Sequence, residues 1–334
     1  MTGVEISAAD AAEKLKKYSS WVILCHENPD GDTLGCAFAL GSLGKRTGKK
    51  TVVVSKDALP ERYGFLSGEC SFAVTNSILS ELVRDSIVVA VDISTEERSV
   101  ANLRDIITAA ADSLNIDHHA GNTCFAASNL VVPSASAAAE VVARIFELYG
   151  SGISKYEADA LYTALTTDNG NFAFSSVTAE SHRCAQVLLN AGAGPAAIYD
   201  RINENMSCGA LRAWGLALSR TVTFANGKCA IFHLRESELK ELNTPVSMLD
   251  GLVNLLLRII GVKIAMFVTE LGGSVKLSVR SRLPYSSRAI AEKFGGGGHI
   301  CAAAAKFSSD FDGAVKKIMT EAEAYVNIRN IADK

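Results

Sequence analysis

What this sequence lacks narrows it first. No run of about eighteen uninterrupted apolar residues occurs, so no segment reads as a membrane span. The opening MTGVEISAADAAEKLKKY lacks the apolar stretch of a signal peptide and is amphipathic and charged, which leads us to expect a soluble, cytoplasmic protein. No C-x-x-C pair occurs among Cys25, Cys36, Cys70, Cys124, Cys184, Cys208, Cys229 and Cys301, and their spacing is irregular. Reduced, mostly buried thiols are therefore expected rather than disulfides or a thiolate zinc site. Neither sign of charge dominates: 33 Lys and Arg against 36 Asp and Glu leave a net charge of −3, which argues against a long nucleic-acid footprint. A small anion held by a local basic patch stays open.

What is present fits two globular domains in 334 residues, 48% of them apolar and 21% charged. Between residues 20 and 170, short apolar runs alternate with helical patterns, the grammar of a parallel α/β sheet. WVILCH (21–26), KKTVVVS (49–55), DSIVVAVD (85–92) and DSLNID (112–117) read as buried strands. Residues 134–150 and 154–168 read as helices, the first closing at Gly150 and the second placing Ala158, Leu161, Tyr162 and Leu165 on one face. After residue 190 the pattern changes to a helical stretch and then two hairpins, with turns at Asn226-Gly227 and Gly272-Gly273. The expected layout is a catalytic domain over 1–190, a helical linker over 191–212 and a smaller α+β domain over 213–334.

Histidine is scarce, with six in the chain, yet His118 and His119 are adjacent and follow Asp117 in NIDHHAGN. The loop HENPDGDTLG puts His26, Asp30 and Asp32 after the strand WVILC, where open α/β sheets bind ligands. Asp92 ends another strand, and Asp168 ends the second helix, before Asn169-Gly170. Singly, each Asp has a bland reading as a helix cap or turn residue. Together, Asp30, Asp32, Asp92 and Asp168 would crowd four negative charges that resist joint ionisation. Two divalent cations would cancel them, and mixed imidazole and carboxylate donors suit Mn²⁺ or a similar ion, which points to two-metal phosphoester hydrolysis.

These segments resemble the DHH phosphoesterase superfamily. HENPDGDTLG is similar to its first motif, VVAVD to its second, IDHHAGN to its third, TDNGNF to its fourth, and GGGGHICAAAA to the glycine-rich signature of the DHH-associated domain. The resemblance implies a parallel-sheet catalytic domain plus a smaller α+β domain, with the active site in the cleft between them. It implies that His26 and Asp30 hold one metal, that Asp32, His118 and Asp168 hold the other, and that Asp92 bridges both. The ions are most simply Mn²⁺, with Mg²⁺ or Co²⁺ as other fits. Asp117 is then expected to orient the ligand His118 through its other ring nitrogen, and His119 to face the scissile phosphate.

A substrate-reading segment follows. Between Lys276 and Lys293 stand five basic residues and one acid, Glu292, a local charge of +4. If 275–283 is a strand, Lys276, Ser278, Arg280 and Arg282 share a face suited to phosphate, and Gly296, Gly297, Gly298 and His299 offer a close approach to a phosphate or base. The two-domain plan resembles the nano-RNase and pAp-phosphatase branch. That implies hydrolysis of short oligonucleotides (nano-RNA, pApA) or of the 3′-phosphate of pAp, no membrane and no long duplex as partner, and a homodimer. A soluble cyclic di-AMP phosphodiesterase, an inorganic pyrophosphatase or polyphosphatase, and a non-catalytic nucleotide sensor are the competing readings.

Overall fold

The apolar runs of the first half form one parallel sheet. Its strands are β1 (Val4–Glu5), β2 (Ser20–Leu24), β3 (Lys50–Ser55), β4 (Phe72–Val74), β5 (Ile87–Val91), β6 (Asp112–Asp117) and β7 (Ser128–Val131), in the order β1-β7-β6-β5-β2-β3-β4. The computed structural model describes residues 3–68 and 70–332, and the chain divides into two units between Asn205 and Met206. Helices α1 (Ala8–Lys17), α2 (Gly31–Arg46), α3 (Leu103–Ala109), α4 (Ala138–Tyr149), α5 (Lys155–Asp168), α6 (Ala179–Asn190) and α7 (Pro195–Asn203) complete the first unit. Alternate residues explain the unbroken apolar runs: Trp21, Ile23, Val89 and Leu114 pack with α1, α2, α4 and α5, while Val22, Leu24, Val88 and Ala90 pack with α3.

Local sequence starts most of these helices. Ser154 accepts the Glu157 N–H while the Glu157 carboxylate accepts the Ser154 N–H at 2.7 Å, a capping box that launches α5. Asp30 caps α2, accepting the N–H of Asp32 at 3.0 Å and of Thr33 at 3.2 Å. Helix α4 is different. The expected helix over 134–150 begins only at Ala138, because its cap comes from outside: the Asp32 carboxylate accepts the N–H of Ala138 at 2.6 Å and of Ala139 at 3.1 Å. Its end is as expected, with Gly150 at φ 82°.

Glycine brings α2 and α5 together. A Cβ on Gly35 would stand 2.3 Å from the Ala160 carbonyl oxygen, and one on Gly31 2.3 Å from Thr167 Oγ1. This close crossing sets the carboxyl end of α5 beside the amino end of α2.

The second unit opens with α8 (Cys208–Ser219), separate from α7, so the single helical stretch read from the sequence is two helices. Strands β8 (Val222–Phe224), β9 (Cys229–Leu234), β10 (Ile264–Leu271), β11 (Ser274–Ser281), β12 (Gly297–Gly298) and β13 (Ala302–Phe307) form a mixed sheet ordered β12-β13-β11-β10-β9-β8. Gly272 and Gly273, at φ 55° and 73°, make the two-residue β10–β11 turn. One face carries α11 (Ser287–Glu292) and α12 (Phe311–Ala332) through Ile231, Met266, Leu277 and Ile318. The other carries α8 and α10 (Leu252–Leu256) through Phe232, Phe267 and Ala213, while α9 (Glu236–Glu241) follows β9. No helix among the described residues is long and apolar enough to cross a membrane.

Gly35→Ala is expected to lower stability by about 1–3 kcal/mol, because the methyl meets backbone that cannot rotate away. Gly64→Ala, where a Cβ meets nothing within 4 Å, should change it by less than about 0.5 kcal/mol. Equal denaturation midpoints for the two variants would refute the close-packing account.

Candidate metal centre

Strands β6, β5 and β2 are neighbours in the sheet, so their carboxyl ends deliver three loops to one edge. His26 follows β2, Asp92 follows β5, and Asp117 ends β6 with His118 and His119 after it. Asp30 and Asp32 come from the start of α2, and Asp168 from the end of α5. All six sequence-predicted ligands thereby meet in the first unit. Three groups have ligand atoms within 4.8 Å of one another: His26, Asp30 and Asp92; Asp32, His118 and Asp168; and Asp92, His118 and His119.

Asp92 stands between the sets. Its Oδ2 lies 3.4 Å from His26 Nε2, and its Oδ1 lies 3.5 Å from His118 Nε2 and 3.4 Å from His119 Nδ1. His26 Nε2 also faces Asp30 at 3.5 Å, and His118 Nε2 faces Asp168 at 3.4 Å and Asp32 at 3.8 Å. The other ring nitrogens are taken by main-chain carbonyls, His26 Nδ1 by Glu27 at 2.7 Å and His118 Nδ1 by Ala135 at 3.1 Å. Those contacts leave Nε2 of each ring as the donor presented to a cation. Asp92 holds this position at φ 58°, an uncommon conformation for a residue with a side chain, with its N–H fixed on the Ile116 carbonyl at 2.9 Å.

The electrostatics fit a cation pair. Asp92 Oδ1 is buried and has no hydrogen-bond partner among the described residues. Burial, with Asp92 and Asp168 beside it, pushes the Asp32 carboxyl well above its usual range, and burial pushes Asp168 up to about 7. Burial also works against charge on His118, but its pairing with Asp92 and the surrounding carboxylates raise it to about 10; Asp30 and Asp92 likewise raise His26 against its burial. Burial raises Asp92 too, but His118 and His26 outweigh it and hold that carboxyl low. Raised imidazoles and two raised acids thus offset part of this cluster's charge, and the same oxygen and nitrogen donors suit two divalent cations.

The triplet departs from the expected roles in one respect. Asp117 does not hold the His118 ring: fully buried, its Oδ1 accepts the His118 main-chain N–H at 2.8 Å and faces His119 Nδ1 at 2.8 Å. The reason is the strand end. After β6 the chain turns, the His118 ring swings toward the 132–137 turn where the Ala135 carbonyl waits, and the His119 ring comes back over the carboxylate. Sequence reasoning also missed Asn115 and Asn122, which flank the triplet. The Asn122 amide donates to Asp117 Oδ2 and to the Ile93 carbonyl, and Asn115 donates to the same carbonyl at 3.2 Å and to Asn122 at 3.2 Å. Thr33 ties the loops further, its hydroxyl donating to the Val91 carbonyl at 2.9 Å. The two asparagines were visible as the ends of NIDHHAGN, but only their buried partners give them a role.

The substrate candidates lie in the second unit. Arg280 is half-buried on β11 beside Ser278 and Lys276, as alternation predicts. Arg282 stands one residue past the end of β11 at Ser281; it is exposed and donates to the Leu257 carbonyl at 2.9 Å. Gly296 and Gly298 have packing work, since a Cβ would stand 2.1 Å from the Ala304 oxygen and 2.6 Å from the Ala302 oxygen respectively. Gly297 faces open space, and His299 is exposed, its N–H bonded to the Ala302 carbonyl at 2.8 Å.

Because raised imidazoles must lose their protons before binding an ion, Mn²⁺ binding to metal-free protein is expected to release protons and to strengthen as pH rises from about 6 to 8. Calorimetry in two buffers of different ionisation enthalpy measures the release. Binding with no proton release at about pH 7 would contradict the charge balance described above.

The DHH family N-terminal domain matches residues 20–165, and the DHHA1 domain matches residues 226–327. The chain is 30% identical over 310 residues to a protein of Thermus thermophilus named bifunctional oligoribonuclease and PAP phosphatase NrnA, covering 92% of this chain and 91% of that protein. It is 23% identical to the cyclic-di-AMP phosphodiesterase PdeA of Listeria monocytogenes, over 91% of this chain and 47% of that protein. An exopolyphosphatase-related protein from Bacteroides fragilis shares the fold, with a TM-score of 0.89 at 24% identity over 96% of this chain and 97% of that one. With both domains matched in order and a relative at this identity along its length, the chain belongs to the DHH phosphoesterase family, a DHH domain followed by a DHHA1 domain.

Proposed function

We propose that this protein is a two-metal phosphoesterase that hydrolyses short oligonucleotides and removes the 3′-phosphate of pAp. The observation that carries the reading is Asp92, a buried carboxylate whose two oxygens face separate donor sets, Oδ2 toward His26 and Asp30 and Oδ1 toward His118. His26 and Asp30 would hold one cation and Asp32, His118 and Asp168 the other, with Asp92 shared. Mn²⁺ suits these donors, and Mg²⁺ and Co²⁺ are the alternatives. Bound divalent cations supply charge neutralisation at the phosphoryl group and a nucleophile at neutral pH.

The chain's own residues do the rest. The amides of Ala138 and Ala139 fix the Asp32 carboxylate, and the Ala135 and Glu27 carbonyls fix the two rings so that Nε2 points inward. His119, with Asp117 at 2.8 Å stabilising its protonated form, is suited to donate a hydrogen bond to a phosphoryl oxygen or a proton to the leaving group. Arg280 and the glycine hairpin of the DHHA1 domain would grip the phosphates and base of the substrate. The substrate class follows the Thermus relative, named as an oligoribonuclease and PAP phosphatase, which matches this chain along its length.

Purified protein with Mn²⁺ is to be assayed against RNA chains of two to about twenty nucleotides, pAp, pApA, cyclic di-AMP and pyrophosphate. The expected result is fastest hydrolysis of the shortest chains and release of phosphate from pAp; a preference for the longest chains would sink the reading. Asp92→Asn should cut the rate more than about a hundredfold, beyond the loss that partners outside the ligand set give. It should also lower the Mn²⁺ stoichiometry while the melting temperature stays in the wild-type range.

A further inference from the structure

Two lysines on the DHHA1 sheet sit where sheet energetics disfavour them. Lys276 on β11 and Lys306 on β13 are direct partners in the antiparallel register. Side chains so paired have Cβ atoms about 4.5–5.5 Å apart, and like charges directly opposite are destabilising. Neither lysine has an ion-pair partner among the described residues. They lie on the same face as the two pairs that follow, Ser278 with Ala304 and Arg280 with Ala302. Gly297, paired with Ala304 on the next strand, leaves the floor there open. The result is a strip of small residues with cations at both ends.

One flank of the strip is a cavity. Lys276, Ser278 and Arg280 line it with Phe267 and Thr269 of β10, under the segment that includes Leu249 and Val253. At its far end Arg280 is half-buried, and its hydrogen bond within the unit goes to the Val279 carbonyl at 3.0 Å. Burial works against its charge and the exposed Asp250 offsets this only in part, so an anionic ligand would relieve a desolvated guanidinium.

Lys276 and Arg280 are four residues apart on one strand, about 13 Å at ~3.3 Å per residue. That exceeds the ~3.4 Å rise per phosphate of a stacked strand several times over. A phosphate at Arg280 and a phosphate between the lysines therefore belong to different nucleotides of one chain.

We propose that Lys276 and Lys306 together form a phosphate subsite separate from Arg280, which grips the backbone of an oligonucleotide that has another phosphate at Arg280, and so sets how binding strength grows with chain length. The proposal rests on the oligonucleotide reading above. A mononucleotide occupies only the Arg280 end; a stacked chain whose phosphates span about four rises, about five residues, reaches the lysine pair and replaces their mutual repulsion with two charge-assisted contacts to one phosphate.

The test is fluorescence anisotropy with labelled oligoadenylates of two to five residues and with labelled pAp, on the full chain in EDTA so that no hydrolysis occurs. The wild type is expected to gain at least about tenfold in affinity from the shortest to the longest oligomer. In the Lys276→Ala, Lys306→Ala double variant that gain should vanish, and the salt dependence for the longest oligomer should flatten by about 0.7 for each phosphate that the protein no longer neutralises. Lys276→Arg with Lys306→Arg should restore the gain, which a merely structural role in the sheet would not predict. A double variant that keeps the wild-type length dependence overturns the subsite. An equal loss at every length, pAp included, also overturns it. Wild-type protein that binds none of these ligands overturns the oligonucleotide reading along with it.

Discussion

Mutual repulsion among four carboxylates is the constraint on which the rest of the first domain depends. Asp30, Asp32, Asp92 and Asp168 come from three separate segments and meet around two imidazoles. Left to itself such a cluster would splay apart or take up protons; burial first, and the neighbouring carboxylates after it, raise the Asp32 and Asp168 carboxyls. The fold answers with rigid supports. Two amides at the start of α4 clamp Asp32, the close packing at Gly31 and Gly35 sets α5 and its Asp168 against α2, and a left-handed backbone turns Asp92 into the middle. Each support fixes a carboxylate by main chain or close packing, and none can relax as a flexible side chain would.

Around that cluster lies a ring of polar partners. Asn115, Asn122 and Asp117 form a connected set with the Ile93 carbonyl, which holds His119 over the site while His118 turns the other way. Two adjacent histidines thus acquire different surroundings: one faces carboxylates through Nε2, the other is held through Nδ1 by a fully buried acid. On that difference rest the proposed roles, a metal ligand for one and a proton or hydrogen-bond donor for its neighbour.

The second domain handles charge in the opposite sense. Its sheet is apolar on both faces where helices cover it, and cationic along the β11 and β13 positions that they leave open. Carboxylates are gathered in one domain, and lysine and arginine on a strip of the other. A chain with a net charge of −3 achieves this by segregating its charges rather than by an excess of either sign.

Much of this was readable from the chain alone, and the physics says which part. Strand runs, the helix end at Gly150, the Gly272-Gly273 turn and the loop positions of His26, Asp92 and His118 are local matters, decided by side-chain period and backbone freedom. The ligand cluster was legible because parallel strands put their loops on one edge. What the sequence could not carry was any interaction between residues far apart in the chain. The start of α4 waited on Asp32, more than a hundred residues away. The partner of Asp117 turned out to be His119, because a carbonyl of the 132–137 turn had already claimed the His118 ring. Lys306 joined the basic face because register, a property of two strands and not of one, set it opposite Lys276. Residue types and their local order were written in the chain; which of them meet was decided by packing, since hydrogen bonds and charges act across space and not along sequence.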